Sequence, residues 1–109
     1  MEGIQCEITS HNGWGIFSLQ GRLDRVNSEE VAAKGNAELE QHTKMAVNLE
    51  KLDYISSAGI RVLLRLAKKA KAEGKDYVLC GPHGFVKEVL EDSNLDVLVP
   101  IAESVEKLL

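Results

Sequence analysis

The sequence is poor in the residues from which metal sites and disulfide frameworks are built. Its 109 residues include only two cysteines and three histidines. Cys6 and Cys80 lie far apart, outside any Cys-x-x-Cys pair and without a histidine at metal-ligand spacing. Both fall in apolar, strand-like segments, so we expect them to be reduced packing residues. The sequence therefore predicts no metal centre and no disulfide bond.

Long apolar runs and an excess of basic charge are also missing. No run approaches the roughly 20 residues that a membrane-spanning helix needs, and the first residues do not form a signal-peptide pattern. The net charge is −4, without a basic tail, which argues against nucleic acid as a partner. The composition, 44% apolar and 28% charged, is ordinary for a folded protein. We therefore expect one soluble cytoplasmic domain over residues 1–109.

Motifs that carry catalysis in small α/β enzymes are absent as well. A hydrolase nucleophile elbow requires Gly-x-Ser-x-Gly, but Ile55 occupies the first glycine position relative to Ser57. No Gly-x-x-x-x-Gly-Lys-Ser/Thr or Gly-x-Gly-x-x-Gly loop follows a strand. The histidines, His11, His42 and His83, are scattered and no pair has metal-ligand spacing. We expect a protein that is not an enzyme and needs no cofactor of its own.

What the chain does contain is an ordered series of apolar patterns. They predict two strands joined at an Asn-Gly hairpin turn, followed by alternating helices and strands. That order indicates an α/β domain with a mixed, mostly parallel sheet of about five strands and about four helices. The predicted strands are residues 4–9, 14–20, 44–50, 77–80 and 97–100. The first predicted helix is capped by Asn27 or Ser28, and the others begin at Ser57, at His83 and at Ala102.

The helix that starts at Ser57 is the most informative element. Its apolar positions recur at helical spacing and predict a buried face. Ser56 precedes this helix and Ser57 is its first residue. Serine hydroxyls at this position accept hydrogen bonds from first-turn amides. Such a helix N-terminus also suits a phosphate, because free N–H groups and the positive end of the helix dipole converge there. Simple capping and a phosphate site are both consistent with the pattern.

The same stretch resembles a known family. Val47-Asn48-Leu49-Glu50-Lys51-Leu52, followed by Ile55-Ser56-Ser57-Ala58-Gly59-Ile60-Arg61-Val62-Leu63-Leu64, is similar to the signature of the STAS domain family, the bacterial anti-sigma-factor antagonists. Gly21-Arg22-Leu23-Asp24 resembles the Gly-x-Leu-Asp turn after the second strand of these domains, and the similarity extends over almost the full length. From the residues alone, Gly21 breaks the second strand and Asp24 accepts backbone hydrogen bonds in a tight turn.

The resemblance implies a phosphorylation switch. In this family a serine or threonine two residues before the glycine is phosphorylated by a partner kinase, which corresponds to Ser57, with Ser56 as second choice. The unmodified form would bind a histidine-kinase-like anti-sigma factor serine kinase and so free a sigma factor, and a serine phosphatase would reverse the modification. The best-known members carry an acidic residue where this chain has Ser56. That difference favours the alternative of a non-phosphorylated STAS scaffold module in a signalling or lipid-transport complex.

The predicted partner surface surrounds the serines. The resemblance places Asp24 in a loop beside them, while Arg61, Arg65 and Lys69 form a basic stripe on the outer face of the helix. Such a stripe is usually solvated, although an acidic partner would also fit it. Asn48 is interpreted as a residue that orients the loop after the third strand. The predicted partner contacts are Arg22, Asp24, Asn48, Ser56, Ala58, Gly59, Arg61, Val62 and Arg65.

Overall fold

Five strands form a single mixed sheet in the computed structural model, which describes residues 3–109. The strand order is β1-β2-β3-β4-β5; β1 runs antiparallel to β2, and every later neighbour is parallel. This confirms the α/β prediction. The strands are β1 (Ile4–His11), β2 (Trp14–Leu23), β3 (Lys44–Ile55), β4 (Asp76–Cys80) and β5 (Ile101–Ala102). The helices are α1 (Ser28–Gln41), α2 (Ser57–Ala72), α3 (Gly84–Asp92) and α4 (Leu95–Leu98).

The main core lies between one face of the sheet and the helices α1, α2 and α3. Alternate strand residues such as Phe17, Val47 and Leu79 belong to this core, because successive side chains of a strand point to opposite faces. A smaller apolar cluster on the other face contains Ile16 and is closed by Leu108. The second strand is therefore covered on both faces. None of the helices within residues 3–109 is long and apolar enough to cross a membrane.

The prediction that Gly21 ends the second strand is wrong, and so is the prediction of a turn after residue 50. Gly21 has a φ of +107° and stays in the ladder opposite Leu52. Pairing continues to Leu23 and Ile55 after two register shifts. A glycine within a strand often marks such an irregularity rather than an end. Both strands therefore reach further toward α2 than expected, and this extension builds the site described below.

The C-terminal assignments are also wrong. Val97 and Leu98, predicted to begin a fifth strand, are the last residues of α4, and β5 follows as Ile101–Ala102. The predicted last helix is only a 3₁₀ turn, Val105–Lys107. Short apolar runs suit a strand or a helix equally well, and here the burial of Leu95 and Leu108 against the core decided the conformation.

Helix α1 begins as predicted, but by a different mechanism. Asn27 occupies the position before its first residue, yet its side chain does not cap the helix. Instead the Asn27 amide accepts a hydrogen bond from the Asp24 N–H (3.0 Å) and donates one to the Arg22 carbonyl (2.8 Å). Asn27 therefore organises the loop between β2 and α1 rather than the helix itself.

Candidate functional site

The turn from β3 into α2 gives the two neighbouring serines different environments. Ser56 is the N-cap of α2, and its Oγ accepts a hydrogen bond from the Gly59 N–H at 3.5 Å. Its own N–H donates to the Leu23 carbonyl at 3.0 Å. Ser57 is the first residue of the helix and is exposed, whereas Ser56 is half-buried. Of the two hydroxyls, the Ser57 hydroxyl is therefore the more accessible to another protein.

The loop between β2 and α1 lies directly beside this turn, because Leu23 is the hydrogen-bond acceptor of Ser56. Asp24 follows Leu23, and its Oδ1 accepts a hydrogen bond from the Val26 N–H at 3.0 Å. The expected backbone-bonding role of Asp24 is confirmed. The side chain is still half-exposed, so one carboxylate both shapes the loop and remains accessible at the surface.

Gly59 allows the two segments to pack this closely. A Cβ added at Gly59 would lie 2.7 Å from Cγ1 of Ile55 and 2.8 Å from Cγ of Leu23. It would also lie 3.1 Å from the Leu23 carbonyl oxygen, which is rigid backbone. The first two contacts are shorter than those that Cβ atoms make in folded proteins, so Gly59 is required for packing. Gly59 is itself buried. Its predicted contact with a partner has no exposed side chain to support it.

Arg22 lies at the end of β2, next to Leu23, and its side chain packs on an aromatic stack. Its guanidinium carbon is 4.1 Å from the centroid of the Tyr54 ring, a cation–π distance. Tyr54 in turn stacks on Phe85, with centroids 5.4 Å apart and an interplanar angle of 5°. Phe85 stands beside apolar residues in the sequence of α3, yet it is 50% exposed. Its role was missed because only the docking of α3 places it over Tyr54.

Two predicted contact residues are not available at this surface. Val62 is only 1% exposed and packs in the main core, so it has no surface to offer a partner. Asn48 does not orient a loop, because β3 continues to Ile55. Its amide donates to Oγ of Ser18 and accepts from the Glu50 N–H, both at 3.2 Å. Roughly 25 Å of strand separates it from Ser56.

The basic stripe of α2 is partly neutralised by α1. Arg65 pairs with Glu29 at 3.3 Å, and Lys69 pairs with Glu40 at 3.2 Å, so both ion pairs bridge the two helices. Arg61 is exposed one helical turn after Ser57. The stripe therefore contributes to helix packing along part of its length and presents the exposed Arg61 nearest the serines.

The cysteines are free thiols. Burial raises the pKa of Cys6 and raises that of Cys80 to about 11, so both thiols stay protonated and poorly nucleophilic at neutral pH. Within residues 3–109 no group of histidine, cysteine and carboxylate side chains could hold a metal ion. The chemistry that this surface offers is that of an exposed hydroxyl at a helix N-terminus.

We expect Ser56→Ala to destabilise the domain by about 1 kcal/mol through loss of the N-cap. This corresponds to a fall of roughly 4–8 °C in Tm for a domain of this size. Thermal unfolding followed by circular dichroism measures it, with Ser57→Ala as the matched control, which should shift Tm much less. Equal losses for the two variants would contradict the assignment of Ser56 as the cap.

The fold and this turn define a STAS domain. The STAS domain family model matches residues 5–108, so the chain belongs to this family. The resemblance noted in the sequence is thereby confirmed. The chain is 36% identical to BtrV of Bordetella bronchiseptica, which is named as a candidate anti-sigma factor antagonist, over 87% of this chain and 83% of that protein.

Solved structures show the same fold. An anti-sigma factor antagonist from Mycobacterium paratuberculosis superposes with a TM-score of 0.87 at 15% identity, covering 95% of this chain and 89% of that one. The phosphorylated form of the Bacillus cell fate determinant SpoIIAA matches with a TM-score of 0.70 at 24% identity, covering 95% of each chain.

Proposed function

We propose that this protein is an anti-sigma factor antagonist whose binding to an anti-sigma factor is switched by phosphorylation of Ser57. The observation that carries the proposal is the position of Ser57, an exposed hydroxyl on the first residue of α2 beside the Asp24 loop. The relatives named as anti-sigma factor antagonists support the class of partner. Transcription would be regulated through release of a sigma factor in the cytoplasm.

The position of Ser57 suits a reversible phosphate. The first turn of α2 contains no acidic residue, and a phosphate there faces free N–H groups and the positive end of the helix dipole. The domain should therefore tolerate the modification. That the SpoIIAA fold is known in a phosphorylated form is consistent with this expectation.

The chemistry of the switch belongs to the partners. An anti-sigma factor serine kinase would supply ATP and magnesium and transfer the phosphoryl group to the Ser57 Oγ, and a serine phosphatase would remove it. This chain contributes the acceptor hydroxyl, the Ser56 cap that holds the turn, and the surface around them. We propose no catalytic activity for the isolated protein.

Affinity purification followed by phosphorylation of the purified pair tests the proposal. We expect the tagged protein to retain a kinase-fold protein, and we expect ATP to add one phosphate, located at Ser57 by mass spectrometry. Ser56→Ala should still be modified and Ser57→Ala should not. Phosphate on Ser56 in Ser57→Ala would overturn the choice of serine.

A second candidate is a STAS scaffold module that is not phosphorylated and serves a signalling or lipid-transport complex. Ser56 favours it, because the best-known switch proteins of the family carry an acidic residue at this position. In that case the purified partner would be a transporter or scaffold component, and ATP would add no phosphate to either serine.

We expect Asp24→Ala to weaken partner binding while changing Tm by only a few degrees. The variant loses one exposed hydrogen bond, which Oδ1 of Asp24 accepts from the Val26 N–H, and a surface change of this kind costs about 0.5 kcal/mol. Asp24→Asn is the matched control because its amide oxygen can still accept that bond without the charge. Binding lost in both variants assigns the role to the carboxylate charge. A large loss of Tm with intact binding would instead make Asp24 a purely structural residue.

A further inference from the structure

A groove of about 540 Å³ lies between the beginning of α1 and the outer face of α2. We call it the basic groove, because four of the residues that line it are cationic: Arg25, Arg61, Arg65 and Lys68. Glu29 is the acidic residue of the lining, and Ala58 and Leu64 give it an apolar part. Four cations against one carboxylate leave three positive charges in a chain whose net charge is −4.

Most of this charge is not used within the domain. Within residues 3–109, Arg65 is the one of the four cations that pairs with a carboxylate, that of Glu29. Among the described residues, no carboxylate oxygen lies within 4.0 Å of the charged nitrogens of Arg25, Arg61 or Lys68. These three side chains are exposed. The groove thus combines uncompensated positive charge with a concave surface and an apolar floor, which a merely solvated helix face does not require.

We propose that the basic groove binds an acidic segment of a partner protein, in which carboxylates flank an aliphatic side chain. Arginine guanidinium groups favour carboxylates because they form paired, charge-assisted hydrogen bonds. Leu64 provides the apolar contact between them. From Arg61 to Lys68 the helix advances about 10 Å, which matches three or four residues of extended chain.

A protein segment fits these features better than nucleic acid. Nucleic-acid surfaces are broad and basic, because the duplex carries one negative charge per about 1.7 Å of its axis. Here the positive patch is short, and the chain as a whole is acidic, so a long polyanion would be repelled beyond the groove. The groove therefore matches a ligand with a few clustered carboxylates.

The groove also lies where it would respond to the switch, an inference that rests on the proposed function. Ala58 lines the groove and immediately follows Ser57. A phosphate on Ser57 adds about −1.5 to −2 charges, which offsets half or more of the groove's three positive charges. Phosphorylation should therefore weaken binding of the acidic segment, because the phosphate competes with its carboxylates for Arg61 and Arg25. No change of fold is needed.

The test uses the whole protein and the capped peptide Glu-Glu-Leu-Glu-Glu as probe. In a titration followed by ¹⁵N NMR at low salt, we expect shifts at the groove and an affinity that falls as salt rises. The double variant Arg61→Glu, Lys68→Glu should bind the peptide about tenfold more weakly than the parent. Lys71→Glu, Lys87→Glu is the matched control: it changes net charge equally at exposed lysines outside the groove and should bind within about twofold of the parent.

Several outcomes would overturn the proposal. Equal weakening in both double variants would show an effect of net charge alone, and shifts confined to other surfaces would place the peptide elsewhere. Tighter binding of a short DNA duplex at the same salt would favour nucleic acid. No kinase enters this titration, so its result does not depend on whether Ser57 is a natural substrate.

The link to the switch is tested with phosphoserine installed at position 57 during translation. We expect this phosphoserine to lower the affinity for the peptide several-fold. An unchanged affinity would show that phosphorylation of Ser57 does not control the groove.

Discussion

Ser57→Asp should fold like the parent chain and bind the anti-sigma factor about 100-fold more weakly. The first residue of a helix tolerates a negative charge, which there contributes about 0.3–1 kcal/mol of stabilisation. At a contact surface the same charge must be desolvated, and a buried charge without a partner costs several kcal/mol. Since about 1.4 kcal/mol is tenfold in affinity, a loss near 3 kcal/mol gives the expected change. Isothermal titration calorimetry measures it, with Tm as the check on folding.

Matched substitutions separate charge from size at this position. Ser57→Asn has nearly the shape of Ser57→Asp without the charge, and Ser57→Ala removes the hydroxyl. We expect Ser57→Ala to bind as the parent does and to resist phosphorylation, and Ser57→Asn to lose much less affinity than Ser57→Asp. If the asparagine and aspartate variants bind equally poorly, bulk rather than charge excludes the partner. If Ser57→Asp binds as tightly as the parent, Ser57 lies outside the interface.

Gly59→Ala should destabilise the domain by about 1–3 kcal/mol, the cost of overpacking a well-filled site. The sign is informative, because alanine inside a helix is otherwise favoured over glycine by about 1 kcal/mol. Here the new methyl group meets Ile55, the Leu23 side chain and the Leu23 carbonyl oxygen at 2.7–3.1 Å. Backbone at such a distance cannot yield without moving α2 away from β2. Tm should therefore fall by several degrees or more, measured by thermal unfolding.

Gly35→Ala is the control for this prediction. Gly35 is also a buried helical glycine, but the atoms that an added Cβ would meet most closely are the terminal methyl groups of Leu66, at 2.8 and 3.2 Å. These carbons are the far end of a flexible side chain, which can shift more readily than backbone, so we expect a smaller loss than for Gly59→Ala. A Gly59→Ala variant as stable as the parent would show that the turn is less tightly packed than the structure indicates.

The parts of the fold that the sequence predicted are those set by local patterns. The hairpin between β1 and β2 follows from Asn12-Gly13, and α2 begins at Ser57 and ends just before Gly74, close to the predicted bounds. In these segments capping, turn chemistry and apolar periodicity agree with the final packing. Prediction failed where one local signal is compatible with two structures. A glycine can end a strand or mark an irregularity within it, and Gly21 marks an irregularity.

The sequence by itself determined that two serines open an amphipathic helix after a buried strand, because caps and periodicity depend on neighbours along the chain. Only the tertiary structure decided that Ser56 is held by Leu23 while Ser57 faces solvent. It also decided that Val62 is buried and that Arg25 of one segment shares a groove with Arg61 of another. These outcomes depend on contacts between residues that are distant in sequence. The geometry of such contacts is set when the helices dock on the sheet, so no single segment of the chain encodes it.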